Sequence, residues 1–220
     1  MHIPDGVMAP VVVGAGWIVA LVAVALAVRR VGKHADEDYV PLVALLAAGL
    51  FVAQLLNFPI IGGTTGHLVG AALAAILLGP ATSVVVFTVI LIIQALVFGD
   101  GGLLALGLNL LNMGVVGSLV AWTVYRPLAG RNRNAAVFAA AWVSVMAGAL
   151  LAAAELAASY VISGGAYGVP PLIAFAAMGL YHVFIATGEG IITVGVLAYL
   201  SKVAPDVVAA KKIRFWGVAE

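Results

Sequence analysis

Apolar runs long enough to cross a bilayer recur along this chain, and that recurrence restricts the fold more than any single motif. Residues 16 to 28, GWIVALVAVALAV, carry no charge, and comparable stretches return until about residue 200. A helix needs about 20 such residues to cross the hydrocarbon core, and inside lipid it satisfies its own backbone hydrogen bonds. Charged residues make up 9% of the sequence and hydrophobic ones 65%, far from the roughly 25% charged residues of soluble domains. The sequence predicts an all-α, polytopic transmembrane helical bundle, a single integral membrane domain over residues 1–220 with no internal repeat.

Hydropathy places seven segments at about 8 to 28, 40 to 56, 67 to 79, 82 to 98, 103 to 125, 135 to 162 and 171 to 200. Turn-forming stretches separate them, among them NFPIIGGTTG, Gly79-Pro80, FGDGG and SGGAYGVPP. Fusing the third and fourth segments across Gly79-Pro80 would give six spans, and charge argues against it. With seven, Arg29, Arg30, Lys33, Arg126, Arg131, Arg133, Lys202, Lys211, Lys212 and Arg214 share one side, which the bias of basic residues makes cytoplasmic. The N-terminus is then outside and the C-terminus cytoplasmic. No basic residue precedes the first apolar run, so it lacks the form of a cleavable signal. Met1 is expected to persist, because initiator methionine is trimmed before small residues and His2 is large.

This orientation brings Met1-His2, the loop from Asn57 to His67 and FGDGG at positions 98 to 102 to one face. The third segment, about 13 residues, extends roughly 20 Å at 1.5 Å per residue, short of the roughly 30 Å of hydrocarbon. The glycine-rich loop before it is expected to dip into the membrane, where protein must satisfy its backbone.

A free α-amine, the amide nitrogen of residue 2 and the imidazole of a histidine at residue 2 can close fused five- and six-membered chelate rings on one ion. One corner of a planar set stays open, and His67, behind GGTTG on the same face, is the candidate to fill it. The chain has no cysteine, so metal ligands must be nitrogen or oxygen. Tetragonal nitrogen coordination suits Ni(II) and Cu(II), with Co(II) in a related geometry, and deprotonation of the donors makes affinity fall with pH. A second-position histidine is also a common accident, and the outer-face His67 shifts the balance toward a site.

The remaining polar residues read more plainly. His34 falls in the charged loop and reads as solvated. His182, in the seventh segment, reads as a buried hydrogen-bonded histidine rather than a group supporting a ligand. Glu155 and Glu189 lie within spans, where ionisable residues are functional candidates or ties between helices. Asp100 reads as a cap or turn residue, and Asn109 and Asn112 as helix-packing groups. The chain has no phosphate-binding loop and no H-E-x-x-H pair, so it is not expected to be an enzyme, and energy for moving an ion must come from elsewhere. The net charge of +1 gives no reason to expect nucleic acid.

MHIPDG, NFPIIGGTTGH, QALVFGDGG and NLLNMG, in this order, resemble the nickel and cobalt substrate-binding membrane subunits, the S components, of energy-coupling-factor transporters. The resemblance covers most of the chain. It implies that the Met1 amine, the His2 amide and ring nitrogens and His67 hold Ni2+ or Co2+ in a nearly planar set within seven helices. Asn57, Thr64, Thr65, Asp100 and Asn109 are the candidates to surround these ligands. Gly66 stands where relatives often carry alanine. The resemblance further implies a prokaryotic cytoplasmic membrane, a transmembrane coupling subunit and cytoplasmic ATPases as partners, and a small accessory membrane subunit in place of the domain fused to some nickel versions. Ala44 and Ala48, four apart, are candidates to dock the coupling subunit.

The alternative is a self-sufficient secondary transporter or channel for a divalent cation, with Glu155, His182 and Glu189 as its path. An intramembrane hydrolase would lack a recognisable nucleophile and base. The donor set suits nickel and cobalt alike, with planarity leaning toward nickel.

Overall fold

Helix occupies each of the seven apolar segments. The computed structural model describes residues 1–35, 37, 39–210, 212–213 and 218–219. Helix α1 spans Pro10–His34 and α2 spans Tyr39–Gln54. Helix α3 spans Ala71–Leu78, and α4 spans Pro80–Ile93 and continues as a π-helical turn over Gln94–Phe98. Helix α5 runs from Leu106 to Leu128 with a π-helical stretch at Leu110–Val116. Helix α6 spans Arg133–Ile162, α7 spans Pro171–Val203 and the short α8 spans Pro205–Ala209.

Among the described residues five helices, α1 and α4 to α7, are long and apolar enough to cross a membrane. The two remaining segments, the second and the third, form shorter helices, the third being the one expected to be too short to cross. Helix α2 has 16 residues and reaches about 24 Å; α3 has 8 and reaches about 12 Å. Glycines bracket α3, Gly70 at φ 82° before it and Gly79 at φ 83° after it, conformations that glycine adopts without steric cost. Residues 67 to 70, expected in the third helix, precede it as irregular chain.

The loop before α3 is a small hairpin. Strand β1 (Phe58–Ile60) pairs antiparallel with β2 (Thr64–Gly66), Phe58 opposite Gly66 and Ile60 opposite Thr64. Gly62 and Gly63 turn the chain at φ 103° and 83°. A Cβ on Gly66 would lie 2.8 Å from the Phe58 ring and 2.9 Å from Ile185 Cδ1, so a larger residue here would have to displace those two side chains.

Helix α1 buries only Gly16, Ala20 and Ala27, a narrow stripe of small residues, and leaves valines and leucines outward as a lipid-facing helix requires. Packing is tightest among α5, α6 and α7, where alanines dominate the contacts. Arg133 at the start of α6 donates to Ser201 Oγ near the end of α7 at 2.9 Å, placing two of the basic clusters at one end of the bundle. Lys211 and Arg214 lie outside the described residues.

Helices α1 and α5 meet at glycine. A Cβ on Gly107 would lie 2.7 Å from the backbone Cα of Trp17 and 2.8 Å from its nitrogen, and neither atom can yield without moving α1. Gly107→Ala is expected to destabilise the folded protein by about 1 to 3 kcal/mol, read as a lowered Tm in detergent; an unchanged Tm would mean the helices can part at no cost.

Candidate metal centre

The first three residues enter the bundle instead of trailing from it. Met1 and His2 are each 1% exposed and Ile3 0%. Asn109, at the α-to-π transition of α5, clamps the segment in both directions: Ile3 N donates to Asn109 Oδ1 at 2.8 Å and Asn109 Nδ2 donates to Ile3 O at 3.1 Å. Gly102 N donates to Ile3 O at 2.9 Å, and Gly168 N to Val7 O at 2.7 Å. Asp5 accepts from the backbone nitrogens of Leu103, Leu104 and Ala105 at 2.8 to 3.1 Å, holding the turn that leads into α5 from the far end of the sequence. Asp100, expected to cap that helix, does not; its carboxylate accepts from Asn57 Nδ2 at 2.7 Å and stands 3.6 Å from His2 Nε2.

Met1 nitrogen donates to Thr65 O, and Thr65 N donates to His2 O at 3.3 Å. The N-terminus thus lies along β2 and reaches His67. The His2 and His67 rings stack with centroids 4.6 Å apart and planes 24° apart. His67 Nδ1 donates to Leu68 O at 2.8 Å, which fixes the tautomer and leaves a lone pair on Nε2. Neither ring nitrogen of His2 nor His67 Nε2 has a hydrogen-bond partner although all are buried. Among the described residues no three His, Asp or Glu side chains cluster as a metal site; the set reaches four nitrogens only through the terminal amine and the His2 amide.

Burial governs the charge state of these groups. Desolvation lowers the Met1 amine to about 5, opposed by Asp100 and Glu189. Desolvation, aided by the neighbouring amine, lowers His2 to about 3 and holds His67 well below the usual imidazole range. Asp100 is raised by partial burial, opposed by Asn57. At neutral pH the amine and both imidazoles are therefore uncharged, with lone pairs available.

The other predicted residues divide. Thr65 offers its carbonyl to Met1 and an unpartnered, buried hydroxyl, whereas Thr64 Oγ1 donates to Met178 Sδ at 3.2 Å. Ala44 and Ala48 are exposed on α2, away from the centre. His34 closes the last turn of α1, its ring bonded to Arg30 O at 2.8 Å, rather than standing in a solvated loop. Glu155 accepts from Asn112 Nδ2 at 2.7 Å. Glu189 accepts from Val69 N at 2.6 Å and Gly70 N at 2.9 Å, supplying the head of α3 with the cap that Gly70 cannot. Gln54 Nε2 donates to Val69 O at 2.7 Å, and Gln54 Oε1 accepts from Gln94 Nε2 at 2.9 Å. His182 Nδ1 donates to Met178 O at 2.8 Å. Among the described residues no hydrogen bond joins Glu155, His182 and Glu189 to one another.

Long apolar helices around an inturned N-terminus and partnerless buried ring nitrogens define a polytopic membrane protein. Residues 2–207 match the family described as the cobalt uptake substrate-specific transmembrane region, and the chain belongs to it. It is 40% identical over 225 residues to the fused nickel transport protein NikMN of Rhodobacter capsulatus, covering 96% of this chain and 65% of that one. It is 28% identical over 206 residues to the cobalt transport protein CbiM of Clostridium tetani, covering 93% and 86%. A solved structure titled as a truncated transition metal transporter superposes with a TM-score of 0.87 at 34% identity, covering 91% of this chain and 98% of that one. This is a multi-pass protein of the prokaryotic cell membrane and, by family, a transport component rather than an enzyme.

The Asn109 clamp generates a test. Asn109→Leu strands the Ile3 amide and carbonyl and is expected to weaken metal binding by about 10- to 100-fold while the chain stays folded, measured by titration alongside hydrogen exchange at Ile3. Unchanged affinity would show that the clamp does not position the segment.

Proposed function

We propose that this chain is the substrate-binding subunit of an energy-coupling-factor transporter and binds Ni2+ or Co2+ through the Met1 amine, the His2 amide and ring, and His67. The observation that supports it most is the stacking of the buried His2 and His67 rings, with ring nitrogens that have no partner, beside the buried Met1 amine. The amine and amide of the first peptide unit close a five-membered chelate, and the amide with His2 Nδ1 a six-membered one. His67 Nε2 supplies the fourth nitrogen, its ring held by Leu68 O, as ligating histidines are commonly held through their second nitrogen. Lone pairs lie in the ring planes, so the unanchored His2 ring turns out of the stack to share an ion with His67. His2 Nε2 then faces Asp100.

In this reading seven helices carry the site, α2 and α3 completing the bundle, with the N-terminus outside and the C-terminus cytoplasmic. A transmembrane coupling subunit, seated on the small residues Ala44 and Ala48 of α2, and cytoplasmic ATPases supply the work of release, with a small accessory membrane subunit as a further partner. Asn57, Thr64, Thr65, Asp100 and Asn109 shape the surroundings of the ligands.

Inserting one residue between Met1 and His2 moves the imidazole out of the short chelate. The insertion variant and His67→Ala are each expected to lose high-affinity binding of Ni(II) and Co(II), read by equilibrium titration of the purified chain; binding as tight as native in both would sink the site. The sign of the pH dependence follows from the donors. With the amine lowered to about 5, only the amide proton is displaced near pH 7, so affinity should rise about tenfold per pH unit between about 6 and 8 and more steeply below about 5. A slope near two at pH 7, in a titration with proton counting, would mean that the amine binds its proton as an exposed one does.

A further inference from the structure

Helix α7 lays one buried face along the chain that carries His67. Met178 accepts from the Thr64 hydroxyl at 3.2 Å. Ile185 lies where a Gly66 side chain would begin, 2.9 Å from that Cβ position. Glu189 holds the amides of Val69 and Gly70. Residues 64 to 70 thus run beside α7 in register with 178 to 189, and His182, one turn beyond Met178, falls opposite the stretch between Thr64 and His67. It interacts electrostatically with both His67 and the Met1 amine.

His182 is 0% exposed. Its Nδ1 donates to Met178 O at 2.8 Å, so Nε2 carries the lone pair, and that atom has no partner. Buried polar atoms are ordinarily paired, and leaving one bare is costly. Among the described residues the bare buried atoms belong to His2, Thr65, His67, Gln94, Asn112 and His182, and of these His2, Thr65 and His67 lie along the paired N-terminus and residues 65 to 67 that α7 faces. His2 and His67 are accounted for as ligands; His182 is not.

The geometry points to His182 as an additional nitrogen donor, out of the plane of the other four, that Co(II) engages and Ni(II) does not, so that this residue sets the preference between the two ions. The inference rests on the reading of Met1, His2 and His67 as the planar set, which leaves positions only above and below the plane. In a strong planar nitrogen field Ni(II) has a filled orbital along the axis, which repels an apical lone pair. Co(II) has one electron fewer and a half-filled axial orbital, which accepts one. Donor number and geometry, more than intrinsic affinity, separate such ions.

The test uses the purified full-length chain with Co(II) or Ni(II) alone. In electron paramagnetic resonance of the Co(II)-loaded native chain the unpaired axial electron should couple to one apical nitrogen, splitting the cobalt lines into triplets that become doublets with 15N-histidine. His182→Leu should abolish the splitting and lower Co(II) affinity by about 10-fold or more, with Ni(II) affinity held within about twofold. Co(II) bound to the native chain without triplets, or a Co(II)-to-Ni(II) affinity ratio unmoved by His182→Leu, would overturn the proposal; should that variant not fold, the labelled native spectrum decides alone. His67→Ala separates the two readings. If it abolishes binding of both ions while His182→Leu leaves their ratio unchanged, only the apical donor is wrong. If it binds both as the native chain does, the planar set itself fails and the apical assignment with it.

Discussion

Chain that enters a membrane without being helical must find a partner for each peptide group, because lipid offers none. Residues 57 to 70 meet that demand piece by piece. The hairpin pairs β1 with β2; the N-terminus pairs with Thr65 from the other side; the His67 ring takes the carbonyl of Leu68. Gln54 takes the carbonyl of Val69, and Glu189 the amides of Val69 and Gly70. A carboxylate at the head of a helix is favoured by the helix dipole as well as by its hydrogen bonds, which gives an otherwise costly buried glutamate a stabilising place. The position of His67, and with it the candidate centre, follows from this set of partners.

The same segment shows how burial prepares nitrogen for a cation. An exposed α-amine is mostly protonated at neutral pH, and an ion would have to displace that proton. Enclosure among α5, α6 and the hairpin withdraws the solvation that favours the charged form. The peptide carbonyl of Thr65 then accepts one hydrogen from the neutral amine and leaves its lone pair unused.

Hydropathy located the helices well because each long span stands alone as an apolar run with its own breakers, Gly79-Pro80 being a clear instance. At α2 the bounds agree to within two residues, and α3, expected to be short, is shorter still because residues 67 to 70 run as irregular chain up to Gly70. The candidate ligands Met1, His2 and His67 could be read from chelate-ring geometry and a shared face, since those depend on local spacing. The supports could not. Asp5 serves backbone nearly a hundred residues away, and Glu189 closes a helix that follows a glycine far upstream; neither leaves a signal in neighbouring sequence. Reading Asp100 as a cap or turn residue uses only its proximity in sequence to α5, whereas its contacts are with Asn57 and His2.

Asp5 carries one more consequence. Residues 1 to 8 are sewn to the heads or flanks of several elements, through Asn109, Gly102, Leu103 to Ala105 and Gly168. Drawing the segment out to free a chelated ion would release the turn that leads into α5 and strand those amides together, so partial fraying from the amino end gains little. Exchange of the ion would then be timed by a cooperative rupture of protein structure, not by the lability of metal–nitrogen bonds. In the proposed reading such a site would be a kinetic trap with a long residence time, which the ion would leave on a useful schedule only when work is done on the bundle from outside.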